Sequence, residues 1–223
     1  MADAIRPIKI TDQIAEAIRE RVFTGLLKPG DRLVEKTICE DLDVSRASLR
    51  EALTRLAHEH ILDQIPNKGY RVPELTVERF HMVCEARQLV ESEVAALAAQ
   101  RASESDVRAL REAAPFTPKN PESLLDPVEC VRANRSFHTQ IARAARNEIL
   151  EKVVLTALDQ DNQPYFYGID LYTCTSPDQI TREHLGIVEA IEKRNPDLAR
   201  SRMLNHLVVK HDRIVRAWKE AGL

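Results

Sequence analysis

The sequence predicts a mainly α-helical protein in two parts, a small helical domain with a β-hairpin followed by an all-α bundle. Only six of the 223 residues are glycine, and apolar residues recur at helical spacing over most of the chain. The two short segments with strand character lie between residues 61 and 72. Hydrophobic residues make up 43% and charged residues 30%, a composition typical of folded rather than disordered chains.

Three helices are predicted in the first part. A helix over residues 11–24 follows from apolar side chains at helical spacing, and Gly25 ends it. A second helix is expected over residues 35–42. A third begins after Ser45, whose hydroxyl suits the N-cap position. The buried face of this third helix is expected to consist of Leu49, Ala52, Leu53 and Leu56.

A β-hairpin is predicted after the third helix. Residues 61–65 and 70–72 have strand character, and Pro66-Asn67-Lys68-Gly69 between them is a turn sequence. Three helices and a hairpin in so short a segment are the plan of a winged helix-turn-helix. We therefore assign residues 1–72 to such a domain and residues 73–77 to a linker.

Residues 78–223 are predicted to form the all-α second domain. The expected helices cover residues 76–102, 104–114, 122–145, 147–163, 178–194 and 196–220. Six helices without a strand are typical of a helical bundle. No apolar run approaches the ~18–20 residues of a membrane span and no signal-peptide core is visible, so we expect a cytoplasmic protein without a membrane partner.

The start of the third helix carries the residues expected to read DNA. In a helix-turn-helix, the N-terminal end of the second helix of the motif lies near base edges. Arg46 and Arg50 are four residues apart on one face, and arginine can bind guanine through two hydrogen bonds. The alternative is that both arginines only solvate a helix face. Further candidates for phosphate, base-edge or minor-groove contacts are Lys36, Ser45, Ser48, Lys68 and Gly69.

The distribution of charge affects how DNA can be bound. The whole chain has a net charge of −3, yet residues 1–72 hold 12 basic and 12 acidic side chains. Residues 46–72 contain five basic and three acidic side chains, a local net charge of +2. Because phosphate neutralisation supplies most of the affinity for DNA, a neutral domain should bind weakly as a monomer. We therefore expect a homodimer on two half-sites of a palindromic operator.

Four residues of the second domain can converge on a metal ion. Asn134 and His138 are one helical turn apart, and His184 and His206 lie on two later helices. A bundle that turns them inward can form a three-histidine metal site with an amide oxygen as fourth ligand. The alternative is that these histidines are only satisfied core residues.

The first domain resembles the GntR family of bacterial transcriptional regulators over residues ~10–72. The residues that carry this resemblance are Lys28-Pro29-Gly30-Asp31-Arg32-Leu33, Glu35, the run from Val44-Ser45-Arg46 to Leu56, and Asn67-Lys68-Gly69-Tyr70. The resemblance implies that Lys36, Ser45, Arg46, Ser48, Arg50, Lys68 and Gly69 contact operator DNA. Lys36 stands where arginine is frequent in the family, which replaces a bidentate group by a point charge.

The second domain resembles the FCD effector domain of the FadR branch, in its shorter six-helix VanR-type version. The segments that carry this resemblance are Glu85-Ala86-Arg87, Asn134-Arg135-Ser136-Phe137-His138, Ala144-Ala145-Arg146-Asn147, Glu183-His184 and Met203-x-x-His206-Leu207. It implies a divalent metal held by Asn134, His138, His184 and His206. Zn²⁺ is the expected metal because imidazole nitrogens are common zinc ligands, and Ni²⁺ and Mn²⁺ are the alternatives.

The resemblance further implies a regulator, expected to be a repressor, that responds to a small organic or sugar acid bound at the metal. Arg87 lies in an Ala-rich helix, where an unpaired guanidinium would be costly. It is expected to pair with the effector carboxylate, with Glu91, or with both. Tyr165, Phe166 and Tyr167 are expected to line the pocket or to pack in the core.

An alternative function is a hydrolase-like enzyme that activates water on the three-histidine site. Such an enzyme needs a positioned general base, and the sequence contains no second motif for one. The enzyme hypothesis also leaves the winged helix-turn-helix unexplained. We therefore favour the regulator and predict no catalytic residues.

Overall fold

The computed structural model of the chain describes residues 9–74, 76–116, 127–161 and 177–221. The chain divides into two compact units, Met1–Glu74 and Leu75–Leu223. The predicted fold class is confirmed, because a small unit of helices and strands precedes a unit whose described elements are all helices. No helix in these four ranges is both long enough and apolar enough to cross a lipid bilayer.

The first unit is a winged helix-turn-helix with an antiparallel sheet of three strands. Its elements are α1 (Ile10–Phe23), β1 (Arg32–Leu33), α2 (Glu35–Leu42), α3 (Arg46–His58), β2 (Asp63–Ile65) and β3 (Gly69–Arg71). Strand β3 is central, with the sheet order β1-β3-β2. Strand β1 was not predicted. Two residues are too few to produce an alternating pattern, and the strand exists because Leu33 pairs with Tyr70.

Helix α3 is fixed at its start and along its buried face. Helix α2 ends at Leu42, and its C-cap Asp43 has a left-handed backbone (φ 52°, ψ 52°) at the start of the short connection to α3. The predicted N-cap is confirmed, because the Ser45 hydroxyl accepts a hydrogen bond from the Ser48 N–H at 3.1 Å. The predicted apolar face is confirmed as well. Its buried members are Leu49, Ala52, Leu53 and Leu56.

The hairpin that forms the wing is built on residues with left-handed backbone conformations. The Lys68 N–H donates to the Ile65 carbonyl at 3.0 Å, with Asn67 at φ 58° and Gly69 at φ 83°. A β-carbon at Gly69 would meet nothing within 4 Å, so its backbone angle rather than lack of space favours glycine there. The Tyr70 hydroxyl lies 2.9 Å from the Thr54 hydroxyl and ties the wing to α3.

The second unit contains the six predicted helices within the described residues. They are α4 (Val77–Arg101), α5 (Glu104–Ala113), α6 (Pro127–Ala144), α7 (Glu148–Asp161), α8 (Pro177–Glu192) and α9 (Pro196–Ala221). Helix α4 packs against α6, α7, α8 and α9. Its alanines Ala95, Ala98 and Ala99 are fully buried, and their small side chains let the neighbouring helices approach closely. The predicted aromatic group Tyr165, Phe166 and Tyr167 lies outside the described residues.

Candidate metal centre and nucleic-acid interface

Three of the four predicted metal ligands converge inside the second unit. His138 of α6, His184 of α8 and His206 of α9 each offer a nitrogen, and these three atoms lie within 4.8 Å of one another. The side chains are between 1% and 3% exposed. In all three rings, Nε2 is buried without a hydrogen-bond partner among the described residues. Buried polar atoms are normally satisfied, so three buried imidazole nitrogens without a described partner in one cluster fit a bound metal ion.

The other ring nitrogen of each histidine faces an oxygen. His184 Nδ1 lies 3.0 Å from the Ala114 carbonyl oxygen, and His206 Nδ1 lies 2.8 Å from Glu183 Oε2. His138 Nδ1 lies 2.5 Å from Glu91 Oε2, a close polar contact rather than a well-aligned hydrogen bond. Oxygens at Nδ1 fix the tautomer that presents the Nε2 lone pair, an arrangement typical of histidines that bind metal.

Burial keeps all three imidazoles neutral. It lowers the pKa of His138 to about 4, although the Glu91 carboxylate acts in the opposite direction. Burial also lowers the pKa of His184 and that of His206. Neutral imidazole is the form that coordinates metal ions, so the cluster is ready to bind a metal near neutral pH without losing protons.

The fourth predicted ligand, Asn134, lies one turn before His138 on α6. Its side chain is buried, with 6% exposure, and the four-residue spacing puts it on the same helix face as His138. An amide oxygen is a hard donor that complements three imidazole nitrogens. Asn134 therefore remains a candidate ligand on its position and its burial.

Arg87 is the centre of a buried network of charges. Its guanidinium is 1% exposed and contacts Glu91 at 2.5 Å through Nε and Asp161 through Nη1. Lys210 shares the same Asp161 oxygen. Although burial opposes ionisation, Arg87 and Lys210 hold the pKa of Asp161 below its usual range. The Arg87 Nη2 atom is buried and has no partner in the described ranges. Of the two predicted pairings of Arg87, the one with Glu91 is therefore present. Its Nη2 atom is the donor that an effector carboxylate could use.

Sequence reasoning missed four residues around the histidines. They are Glu183, Arg213, Asp161 and Lys210. Lys210 and Arg213 follow His206 by four and seven residues on α9, a spacing that places them on its face. Glu183 directly precedes His184. Asp161, at the end of α7, carries no signal in the sequence because its partners are 74 and 49 residues away.

The two arginines predicted to read bases lie on the exposed surface at the start of α3. Arg46 is exposed. The Arg50 side chain is 68% exposed, and its Nε donates to Glu35 Oε2 of α2 at 2.9 Å. This contact orients Arg50, and no other described residue contacts its two terminal nitrogens. The arrangement fits either base contacts or a solvated helix face.

The remaining predicted DNA contacts surround α3. Ser45 and Ser48 share a hydroxyl contact of 2.9 Å at the helix start, so both hydroxyls lie beside the first turn. Lys36 is 74% exposed, with only a long contact of 3.9 Å to Glu40. Lys68 is exposed at the tip of the wing. These side chains are thus accessible within the described part of the first unit.

Two family models match the chain. The model described as bacterial regulatory proteins of the gntR family matches residues 10–72. The FCD domain model matches residues 82–209. Together they cover both units, and the second alone covers more than half of the chain.

Relatives over nearly the whole chain are named as transcriptional regulators. The Glc operon transcriptional activator of Escherichia coli strain K12 is 28% identical over 229 residues, 93% of this chain and 89% of that protein. The Nta operon transcriptional regulator of Aminobacter aminovorans is 28% identical over 189 residues, 84% and 86% of the two chains. We expected a regulator rather than an enzyme, and these relatives agree with that expectation.

Solved structures share the fold. Escherichia coli McbR/YncC superposes with a TM-score of 0.79 at 21% identity, covering 96% of this chain and 100% of that one. A GntR regulator from Rhodococcus sp. RHA1 gives a TM-score of 0.74 at 22% identity, covering 92% and 97%. At this level of identity the likeness establishes the arrangement of helices and strands alone.

Proposed function

Because this chain belongs to the GntR family of bacterial regulatory proteins and carries an FCD domain, we propose that it is a metal-dependent, ligand-responsive repressor. It acts as a homodimer whose affinity for a palindromic operator falls when a small organic or sugar acid binds in the helical domain. The observation that carries the proposal is the convergence of three buried histidines. One ring nitrogen of each lies within 4.8 Å of the others, and their Nε2 atoms have no hydrogen-bond partner among the described residues. A hydrolase receives no support, since the named relatives are transcriptional regulators.

The donor set fits a divalent transition metal. Three neutral imidazoles, His138, His184 and His206, would supply three nitrogens, and Asn134, which is buried one turn before His138 on α6, would supply an amide oxygen. Zn²⁺ commonly takes three histidines and leaves a fourth position open, while Ni²⁺ and Mn²⁺ also accept such ligands. When bound, the ion supplies positive charge and open coordination positions to an anionic ligand.

The balance of buried charge favours a carboxylate as effector. Arg87 and Lys210 are opposed by Glu91 and Asp161, so this network is balanced before any metal is present. A divalent ion on neutral histidines adds two positive charges to a buried site, where unbalanced charge is costly. A carboxylate would offset that charge, and Arg87 Nη2, which has no partner among the described residues, would provide a second contact for it.

An exposed apolar stripe on α4 supports the homodimer. Met82 and Leu89 are 62% and 67% exposed, and Ala86 lies between them at helical spacing and is also exposed. Burial of such side chains against a second copy is favourable by roughly 25 cal/mol per Å² of apolar surface. We expect the double variant Met82→Glu/Leu89→Glu to reduce the mass measured by light scattering toward that of a monomer, with an unchanged circular dichroism spectrum.

The proposal is tested first by metal content and then by operator binding. Protein purified without chelator should contain close to one metal ion per chain, and the variant His138→Ala/His184→Ala should contain none. His58→Ala, an exposed histidine of the other unit, is the matched control and should keep the metal. Absence of metal, together with no thermal shift on adding Zn²⁺ or Ni²⁺, would exclude the metal site.

The effector is then sought among carboxylates with metal-loaded protein. A screen by thermal shift should identify an organic or sugar acid that stabilises the wild type but not the metal-free double variant. The same acid should weaken binding to DNA fragments from the promoters next to the chain's own gene. An acid that stabilises the protein but leaves operator affinity unchanged, or increases it, would contradict the repressor mechanism. It would not contradict the metal site.

A further inference from the structure

A second pair of histidines lies apart from the three-histidine cluster. His81 of α4 and His211 of α9 approach each other, with His81 Nδ1 2.7 Å from His211 Nε2. The ring centroids are 4.9 Å apart and the planes are tilted by 57°. His211 follows His206 by five residues, a spacing that directs the two side chains to different faces of α9. The pair is therefore distinct from the buried cluster.

The His211 ring is held in place on two sides. Its Nδ1 lies 3.2 Å from Asp212 Oδ1, and its face stacks on Phe80 at 5.7 Å with an interplanar angle of 12°. Trp218 packs edge-on against the same Phe80 ring at 4.9 Å. When the Asp212 carboxylate accepts a hydrogen bond from the Nδ1–H of the neutral ring, the lone pair is on Nε2. Its lone pair is directed toward His81.

We infer that His81 and His211 form a two-nitrogen binding site for a divalent ion that prefers square-planar or octahedral coordination, Cu²⁺ or Ni²⁺. At metal–nitrogen distances of about 2.0–2.1 Å, the 2.7 Å separation corresponds to an angle of about 80° at the metal. This angle is close to the ~90° between neighbouring ligands in tetragonal sites. A tetrahedral Zn²⁺ would need the nitrogens about 3.3 Å apart, which requires a larger movement of the two helices.

Binding at this pair is chemically simple. His211 already presents a lone pair, and His81 presents one when its proton moves from Nδ1 to Nε2, so no proton leaves the protein. His81 is exposed and the His211 side chain is 20% exposed, so water completes the coordination. The ion would join the start of α4 to the C-terminal half of α9 and stabilise their contact.

The only tryptophan of the chain provides a local readout. Trp218 contacts the Phe80 ring that stacks on His211, and bound Cu²⁺ quenches tryptophan fluorescence at short range. Tag-free protein, first saturated with Zn²⁺ and desalted, is titrated with CuCl₂ in a buffer that does not chelate copper. We expect saturable quenching of Trp218 in the wild type. In His81→Ala the copper concentration at half-maximal quenching should rise by about tenfold or more. Loss of a group that only orients a metal ligand already lowers metal affinity by about that factor.

His58→Ala is the matched control, since His58 is also exposed but lies in the other unit. Its quenching curve should coincide with that of the wild type. His81 is exposed, so its replacement leaves the core intact, which circular dichroism checks. Equal midpoints for His81→Ala and the wild type, or no quenching in the wild type, would overturn the inference. Neither result would affect the three-histidine site, which is tested by its own metal content.

Discussion

Glu183 Oε2 lies 2.8 Å from His206 Nδ1, so the residue that precedes one histidine of the buried cluster orients another histidine on the neighbouring helix. Helix α8 therefore supplies both a candidate ligand, His184, and the carboxylate that holds the candidate ligand of α9. Arg213 contacts the other Glu183 oxygen at 3.3 Å. Burial tends to raise the pKa of Glu183, but His206 and Arg213 lower it, so the carboxylate is ionised where His206 needs an acceptor.

Removal of the Glu183 carboxylate should weaken metal binding without removing a ligand. We expect Glu183→Ala to lower Zn²⁺ affinity by roughly 10–100-fold, the usual effect of losing a group that orients a metal-binding histidine. Glu183→Gln should have a smaller effect because its amide oxygen can still accept a hydrogen bond from the Nδ1–H of His206. Competition with a chromophoric chelator measures both affinities. Glu192→Ala, an exposed change on the same helix, should match the wild type, and equal affinity in Glu183→Ala would contradict the role.

Much of the fold was predictable because its signals are local. The apolar stripe of α3 and the Ser45 cap depend on residues within one or two helical turns, and both were confirmed. The convergence of His138, His184 and His206 was predicted partly from a resemblance, because spacing within helices α6, α8 and α9 cannot show which faces meet. The packing of these helices brings the nitrogens within 4.8 Å.

The partners of the site were not predictable, for a physical reason. Asp161 contacts Arg87 and Lys210 across 74 and 49 residues, so no short pattern contains the interaction. Strand β1 was not predicted for a related reason, because a two-residue strand is defined only by its pairing with β3. Features that exist only through contacts distant in sequence therefore need the folded chain.

Substitutions of Arg46 and Arg50 should distinguish sequence-specific base contacts from non-specific electrostatic binding to DNA. We expect Arg46→Ala or Arg50→Ala to lower operator affinity by about 1–3 kcal/mol or more, the usual value of a bidentate contact to a base. Arg50→Lys keeps the charge but loses the second hydrogen bond, so it should bind operator poorly while binding non-specific DNA nearly as the wild type does. Fluorescence anisotropy with both DNAs at several salt concentrations tests this.

The matched control is Arg200→Ala, an exposed arginine of the helical unit that pairs with Glu93. It should bind operator as the wild type does. If both α3 variants also retained operator binding, the arginines would only solvate the helix.

The buried histidines should make the metal-free protein less stable as pH falls below neutral. Burial lowers the pKa of His138 from 6.5 to about 4 in the folded chain, whereas the unfolded chain keeps the ordinary value. Between these values the unfolded state binds more protons, so the free energy of unfolding decreases with falling pH. His184 and His206 shift in the same direction.

Urea unfolding of chelator-treated protein at pH 7.5, 6.5 and 5.5 measures this loss. The carboxylates Glu91 and Asp161 have ordinary pKa values of 4.5 and 3.8, lowered further on folding, so they contribute only at more acidic pH. His138→Gln should show a shallower dependence over the tested range. An unfolding free energy that stays constant from pH 7.5 to 5.5 would contradict the neutral, buried state of the three rings.

Asp161 should be the most costly carboxylate to neutralise in the second unit's network. It is 1% exposed and contacts both Arg87 and Lys210, so Asp161→Asn leaves two cations facing one remaining carboxylate, Glu91. Breaking a buried ion pair on one side typically costs about 3–5 kcal/mol, which urea unfolding measures. Glu93→Gln is the matched control, because its pair with Arg200 is exposed and should cost less than about 1 kcal/mol.

A second replacement decides whether the cost of Asp161→Asn is electrostatic. Lys210→Met removes one of the two cations while keeping most of the apolar stem, so the double variant Asp161→Asn/Lys210→Met should recover part of the lost stability. Non-additivity of this kind is expected only for residues that interact directly. If the two changes were simply additive, Asp161 would act through packing alone. If the two changes compensate, a buried cation at this place needs a neighbouring anion. The same need would draw an effector carboxylate toward Arg87 and Lys210.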